Sequence, residues 1–174
     1  MDLNKKMLVA YFSHKGENYS NGRIVELKQG NTAVVADMIA GLTKADPFEI
    51  RSAKEYPFQY KPCTEEALTE LKTNLCPGLA EDIDVSAYDI IFLGYPNWWG
   101  TMPMPVWTFL SGHDFSGKTI YPFCTHEGSG LGKSEMDLGE LAPGAKIGKG
   151  LAVHGSSVRK SEAVIKEWII GGKL

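Results

Sequence analysis

The strongest constraint on the fold of this chain is the alternation of short apolar runs with segments of helical periodicity. The apolar runs have the residue types of strands buried on both faces. The segments between them repeat their apolar residues every three to four positions, which predicts helices. Strands are predicted at residues 7–12, 48–50, 89–93, 118–124 and 149–154, and helices at residues 33–40, 64–75, 104–110, 133–141 and 162–170. Strict alternation of this kind predicts an α/β fold, a parallel sheet with helices on both faces.

Three local features qualify this prediction. Residues 23–27 predict a short surface strand that could be half of a small hairpin. Pro122 lies within the fourth predicted strand, where a residue without a backbone N–H is unfavourable. The helix at residues 64–75 is expected to be N-capped by Thr64 or Cys63.

Length and charge favour one globular domain, residues 1–174, over a nucleic-acid or membrane-surface protein. The chain has 174 residues, with 18 basic and 21 acidic side chains and a net charge of −3. It therefore has neither the basic surface that nucleic acids require nor a polybasic patch for membranes. No apolar run approaches the ~20 residues of a membrane-spanning helix.

The cysteines predict a reducing environment, and the expected location is the cytoplasm. Cys63, Cys76 and Cys124 are an odd, widely spaced set that forms neither metal-ligand pairs nor a disulfide framework. No metal site is expected. Lys5 and Lys6 precede a short apolar run, but a first strand explains that run better than a signal peptide does.

The predicted ligand site is a crevice at the carboxyl ends of the strands, where the strand order of an open parallel sheet reverses. Three unusual loops follow predicted strands at these ends. They span residues 13–32, 96–101 and 125–132. We expect these loops to converge on one crevice.

The first loop predicts a phosphate site. Ser13 ends the first strand, and Asn31 and Thr32 follow Gly30 at a predicted helix start, where free N–H groups favour anions. The alternative is an ordinary helix N-terminus without a ligand. His14 and Asn18, which lie in the same loop, are further candidate ligands.

The second loop predicts a wall for a flat ligand. Two adjacent tryptophans lie between proline and glycine residues, and large rings at such a turn are poor for solubility unless something planar covers them. The alternative is that both rings are structural; we favour stacking by at least one ring, with the other packed inward. The candidate residues are Pro96, Asn97, Trp98, Trp99 and Gly100.

The third loop is rich in glycine, which lets backbone N–H groups approach the polar edges of a planar ligand. His126 and Glu127 could be solvated loop residues, or they could bond a ring or move a proton. The candidate residues are Thr125, His126, Glu127, Gly128 and Gly130.

Together, these motifs resemble the flavodoxin-like family over nearly the whole chain. The resemblance rests on four stretches in the order that the family has them: Ala10-Tyr11-Phe12-Ser13, Gly30-Asn31-Thr32, residues 94–100 and residues 125–130. It implies a three-layer sandwich whose five-stranded parallel sheet has the order 2-1-3-4-5, and a non-covalent FMN.

By position, the resemblance implies that Ser13, Asn31 and Thr32 bind the FMN phosphate. Residues 96–100 would then border the isoalloxazine ring, and residues 125–130 would line its opposite edge. The chain departs from the family because residues 14–29 separate Ser13 from the Gly-Asn-Thr triplet. Either this insertion loops out and both ends still meet the phosphate, or Asn18 replaces part of the usual set.

The expected function is an FMN-binding redox protein, either an electron carrier or an NAD(P)H- or quinone-type reductase. The near-balanced charge weakens the carrier version, since one-signed surfaces steer redox partners. The lack of an evident nicotinamide motif weakens the reductase version. The alternative is a binding module that kept the fold but lost FMN. The chain could be a monomer or a homodimer.

Overall fold

The computed structural model describes residues 5–172. These residues form eight strands and five α-helices. The strands are β1 (Met7–Tyr11), β2 (Gly16–Ser20), β3 (Arg23–Leu27), β4 (Asp46–Glu49), β5 (Ile90–Pro96), β6 (Thr119–His126), β7 (Lys146–Ile147) and β8 (Leu151–His154). The helices are α1 (Asn31–Thr43), α2 (Tyr60–Thr73), α3 (Met104–Ser111), α4 (Ser134–Leu141) and α5 (Glu162–Gly171).

The main sheet is parallel and confirms the predicted strand order. It runs β4-β1-β5-β6, and β6 then pairs with β7 and, further along, with β8. Counting only the five predicted strands, the order is 2-1-3-4-5. The register places Pro96 beside Thr125 and His126 beside His154, so the last residues of three neighbouring strands lie at one edge.

Alternating side chains of the central strands enter two separate cores. On one face, Leu8 and Ile91 share a cluster with Phe109 of α3 and Leu138 of α4. On the other face, Phe92 packs in a cluster with residues of α1 and α5. The sheet therefore lies between two helical layers, as the three-layer prediction requires. No helix in the described part of the chain is both long and apolar enough to cross a membrane.

Pro122 is accommodated inside β6 because the neighbouring edge strand is interrupted there. β7 pairs with Thr119 and Ile120, and β8 resumes the pairing at Phe123. The segment of β6 at Pro122 thus has no partner on that side, which suits a residue with no N–H to donate.

The predicted start of α2 was wrong. The helix begins at Tyr60 after Gln59, and neither Thr64 nor Cys63 is its N-cap. The carboxylate of Glu17 on β2 accepts the Tyr60 backbone N–H at 2.9 Å, so a residue far away in sequence caps the helix. Pro62 is tolerated because it lies in the first turn, where a backbone N–H has no partner within the helix.

The insertion after Ser13 is an antiparallel hairpin of β2 and β3. The predicted strand at residues 23–27 is β3, whereas its partner β2 was not predicted because Gly16–Ser20 is polar. Asn21 and Gly22 join the strands with positive φ angles of 48° and 81°, the geometry of the tight turns that favour Asn-Gly.

The close packing around Gly94 on β5 generates a stability prediction. A Cβ atom at residue 94 would lie 2.1 Å from Cζ of Phe123, which is fully buried. We expect Gly94→Ala to lower the free energy of unfolding by about 1–3 kcal/mol through overpacking. Urea unfolding measures this change.

Gly41→Ala is the matched control for this prediction. Gly41 lies in α1, is exposed and has no atom within 4 Å of an added Cβ. The same chemical change should here raise the stability by roughly 0.5–1 kcal/mol. Equal effects at the two glycines would contradict the packing argument.

Candidate functional site

The three loops predicted to converge enclose one cavity of about 370 Å³ at the carboxyl edge of the sheet. Its volume lies within the range of small-molecule sites. The hairpin and the start of α2 complete its wall. The lining residues are His14, Asn18, Tyr19, Asn31, Thr32, Tyr60, Thr64, Ala67, Pro96, Asn97, Trp98, Trp99, Thr125, His126, Glu127 and Ser129.

One end of the cavity is the N-terminus of α1. Within the described residues, the backbone N–H groups of Asn31 and Thr32 have no protein acceptor. The next N–H, that of Ala33, donates to Oγ of Ser13 at 3.1 Å. Free N–H groups at the positive end of a helix dipole form a cradle for an anion.

The insertion does not separate the two ends of this cradle. Gly30 returns the chain to Ser13 so closely that a Cβ there would lie 2.2 Å from Oγ of Ser13 and 2.5 Å from the His14 carbonyl oxygen. The hairpin therefore loops out while Ser13 stays at the start of α1. Asn18 does not replace Ser13; its side-chain amide donates to the His14 and Gly16 carbonyls.

Trp98 packs inward among aromatic rings at one side of the cavity. Its ring meets Phe12, Tyr56 and His14 edge-on, with centroid distances of 5.2, 5.1 and 5.9 Å. Edge-to-face pairs of this kind are favourable beyond the burial of area. Burial also lowers the pKa of His14, which favours the neutral imidazole, and its Nε2–H donates to the Pro57 carbonyl.

Trp99 is 51% exposed and lies in a strained turn. Trp98 and Thr101 exchange two backbone hydrogen bonds across it, and Trp99 and Gly100 at its centre have φ angles of 55° and 85°. A bulky residue at positive φ is an outlier that costs energy. The indole Nε1–H donates to the Thr64 carbonyl at 2.9 Å, which fixes the ring beside the first turns of α2.

Asn97 joins the second and third loops. Its backbone N–H donates to the Thr125 carbonyl, and its side-chain amide donates to the Gly130 carbonyl and accepts the Gly100 N–H. A Cβ at Gly132 would lie 2.2 Å from the Gly100 carbonyl oxygen, so only glycine permits this approach. The tryptophan turn is therefore held by the glycines of the third loop.

The third loop contributes the titratable groups of the cavity. Burial and the nearby His154 lower the pKa of His126, whose ring centroid lies 5.6 Å from that of His154. Glu127 is the one lining residue that carries a formal charge at neutral pH, and no Lys or Arg is among those lining residues. An anion in the cavity would thus be held by N–H dipoles and not by a side-chain cation.

The structure brings most of the predicted site residues to this cavity. Four of them are not among its lining residues: Ser13, Gly100, Gly128 and Gly130. Gly100 and Gly130 instead bond to the side chain of Asn97, which lines it, and Ser13 accepts the Ala33 N–H at the start of α1.

Four lining residues were not predicted from the sequence. They lie on the hairpin and on α2: Tyr19, Tyr60, Thr64 and Ala67. The last three lie on one stripe of α2, and the Tyr19 ring lies 6.3 Å from that of Tyr60. The spacing of 60, 64 and 67 on one helix face was the available signal, and the late predicted start of α2 hid it.

The thiol of Cys124 donates to the Gly130 carbonyl of the third loop at 3.5 Å. Burial raises the pKa of the Cys124 thiol on β6 to about 12, so this thiol is protonated at neutral pH. Among the described residues, no cluster of His, Cys, Asp and Glu could hold a metal ion.

Comparisons with known proteins agree with this architecture. The model of the family described as "Flavodoxin" matches residues 6–171. No curated protein sequence matches the chain significantly.

Among solved structures, 127 chains are similar to this one. A candidate flavoprotein from Bacteroides eggerthii is 27% identical with a TM-score of 0.76, and the match covers 98% of this chain and 99% of that one. Another from Bacteroides uniformis is 28% identical with a TM-score of 0.72, covering 95% and 98%. A flavoprotein from Lactobacillus acidophilus, in complex with FMN, shares the fold at 19% identity and a TM-score of 0.67, covering 95% and 99%.

The strained turn at Trp99 generates a prediction. Trp99→Asn and Trp99→Ala both remove the ring and its bond to Thr64, but asparagine tolerates positive φ better than alanine does. We expect the Asn variant to be more stable than the Ala variant by about 1 kcal/mol. Thermal unfolding of the two proteins side by side measures the difference, and an Ala variant of equal or greater stability would contradict the strain.

Proposed function

The chain belongs to the flavodoxin family, and on that premise we propose that it binds FMN non-covalently and transfers electrons. The observation that carries this proposal is a single cavity with an anion cradle at one end and aromatic rings along one side. FMN has a phosphate and a flat ring system joined by a polar chain. The donor set of the cavity fits all three parts.

The phosphate would be held at the start of α1. The free N–H groups of Asn31 and Thr32, together with the Asn31 side-chain amide, are the donors available there. The helix dipole adds roughly half a positive charge, which stands in for the missing Lys or Arg.

The ring would lie between the tryptophan turn and the third loop. Trp98 and Trp99 offer aromatic surface. The backbone N–H groups of Glu127 and Ser129, which have no acceptor within the described residues, offer donors for the polar edge of a flavin. Isoalloxazine supplies the redox chemistry when it is bound, whereas the protein binds it, orients it and limits its contact with water.

Carrier and reductase remain the two versions of this proposal. The net charge of −3 gives weak long-range steering toward a charged redox partner, which supports a reductase. The lack of Lys or Arg among the lining residues gives no evident grip on the phosphates of a nicotinamide cofactor, which supports a carrier.

FMN titration of the purified protein tests the proposal, and Asn31→Ala tests the position of the phosphate. Loss of one side-chain donor to a charged group should weaken FMN binding by roughly 10- to 100-fold. Fluorescence quenching of FMN measures the dissociation constant.

Riboflavin is the matched control for this variant because it lacks the phosphate. Its affinity should be the same for the wild type and for Asn31→Ala. An equal loss for both flavins would show that Asn31 acts elsewhere. A folded wild-type protein that binds no FMN would contradict the proposal and favour a binding module that has lost its flavin.

Steady-state oxidation of NADH and NADPH by the FMN-loaded protein, with a quinone as acceptor, separates the two versions. A reductase should turn over with a rate that saturates in both substrates. Absence of turnover, with flavin reduction by a chemical reductant intact, would identify a carrier.

A further inference from the structure

The hairpin of β2 and β3 forms one wall of the cavity but has few anchors. A two-stranded hairpin is only marginally stable on its own. Near its base, the Glu17 N–H donates to the Phe58 carbonyl and the Glu17 carboxylate accepts the Tyr60 N–H, each at 2.9 Å. These bonds fasten the hairpin to the side of the cavity where α2 begins.

The tip of the hairpin is fastened on the other side by Glu127. The Asn21 backbone N–H donates to Oε2 of Glu127 at 3.1 Å. Glu127 follows β6 directly, so the rigid sheet sets its position. The hairpin thus extends from the start of α2 to the end of β6, and Asn18 and Tyr19 between these anchors line the cavity.

The second oxygen of Glu127 is in an unfavourable environment. Oε1 is buried and has no hydrogen-bond partner within the described residues. A buried acceptor without a donor is destabilising. The contacts of this carboxylate run through Oε2, which accepts the Asn21 N–H and also lies 3.7 Å from Nδ1 of His154 at the end of β8. The carboxylate thus links the hairpin tip to the ends of β6 and β8.

Gly155 leaves the space that this carboxylate occupies. A Cβ at residue 155 would lie 2.4 Å from Oε1 of Glu127 and 2.6 Å from Nδ2 of Asn31. The φ of Gly155 is not in the left-handed region, so the backbone alone would accept alanine. The glycine is needed for clearance around Glu127 and Asn31.

We propose that Glu127 is a positioning residue that holds the hairpin tip beside the cavity, so that a ligand enters and leaves faster when this contact is open. The proposal rests on the proposed function for the choice of FMN as the probe. It assigns Glu127 a role through the hairpin and not through direct contact with the ligand.

Amide hydrogen exchange in the FMN-free protein tests the contact without any ligand. In Glu127→Ala, the amides of β2 and β3 should exchange roughly tenfold faster, since a hydrogen bond to a charged group is lost. Glu127→Gln keeps an oxygen acceptor but loses the charge, so its exchange should lie between that of the wild type and that of Glu127→Ala. The amides of β1 and β5 should not change in either variant.

Two further variants serve as a negative and a positive control for this exchange measurement. Glu26→Ala removes an exposed carboxylate from the hairpin that makes no hydrogen bond within the described residues, and it should exchange like the wild type. Gly155→Ala should accelerate exchange in the hairpin as Glu127→Ala does, because the new Cβ displaces the carboxylate. Unchanged hairpin exchange in Glu127→Ala, or equal acceleration throughout the protein, would overturn the proposal.

Stopped-flow binding of FMN separates positioning from direct contact. If Glu127 only holds the hairpin, Glu127→Ala should raise both the association rate and the dissociation rate. Because the variant also removes the one formal negative charge among the lining residues, the dissociation constant for the anionic FMN should stay the same or fall. A rise in the dissociation rate alone would identify a ligand contact and overturn the positioning role. If FMN does not bind at all, the proposed function is wrong. The hydrogen-exchange experiment needs no ligand and would still test the contact between Glu127 and the hairpin.

Discussion

Thr125 is the residue on which the geometry of the site depends. Its hydroxyl is bonded to that of Thr32 at 2.8 Å, and both side chains are buried. Its carbonyl accepts the Asn97 N–H, which begins the tryptophan turn. One residue at the end of β6 therefore fixes the start of α1 and the second loop together. Because an unpaired buried hydroxyl costs about 1–3 kcal/mol, these contacts are strongly coupled to the folded state.

The sequence was sufficient to predict the sheet and the place of the crevice, because both follow from local patterns. Buried strands have apolar runs, and the carboxyl ends of parallel strands meet at one edge. The wall formed by Tyr19 and Tyr60 was missed because the predicted start of α2 was four residues too late. Its cause is tertiary: the Glu17 carboxylate sets the start of α2 across 43 residues of sequence, and no capping residue beside Tyr60 signals it.

Two turns have similar backbone geometry, but only one of them has the residues that such a turn prefers. The hairpin turn uses Asn21 and Gly22, the pair that best tolerates two positive φ angles. The turn at the cavity has Trp99 and Gly100 at the same two positions, both with positive φ. The indole of Trp99 donates to the Thr64 carbonyl and is half-exposed. Strain of this kind persists only where the surroundings over-determine it, and such positions cluster at binding sites. A strained tryptophan in place of asparagine is therefore a physical argument that Trp99 contacts a ligand. This argument does not depend on the resemblance to a family.

The insertion at residues 14–29 adds a wall to the cavity and leaves the N–H cradle at the start of α1 intact. The hairpin leaves the chain after Ser13 and returns at Gly30, where the absence of a side chain lets the two ends touch. The cradle at α1 therefore keeps its geometry, while the cavity gains Asn18 and Tyr19 of the hairpin as lining residues. Tyr19, which is 45% exposed, and Trp99 both line the cavity and reach solvent. A molecule that exchanges electrons with a bound flavin by direct contact would meet these aromatic side chains, whereas the N–H donors of the cradle would already be occupied by phosphate. The insertion thus shapes the surface around the entrance of the cavity and leaves the start of α1 unchanged.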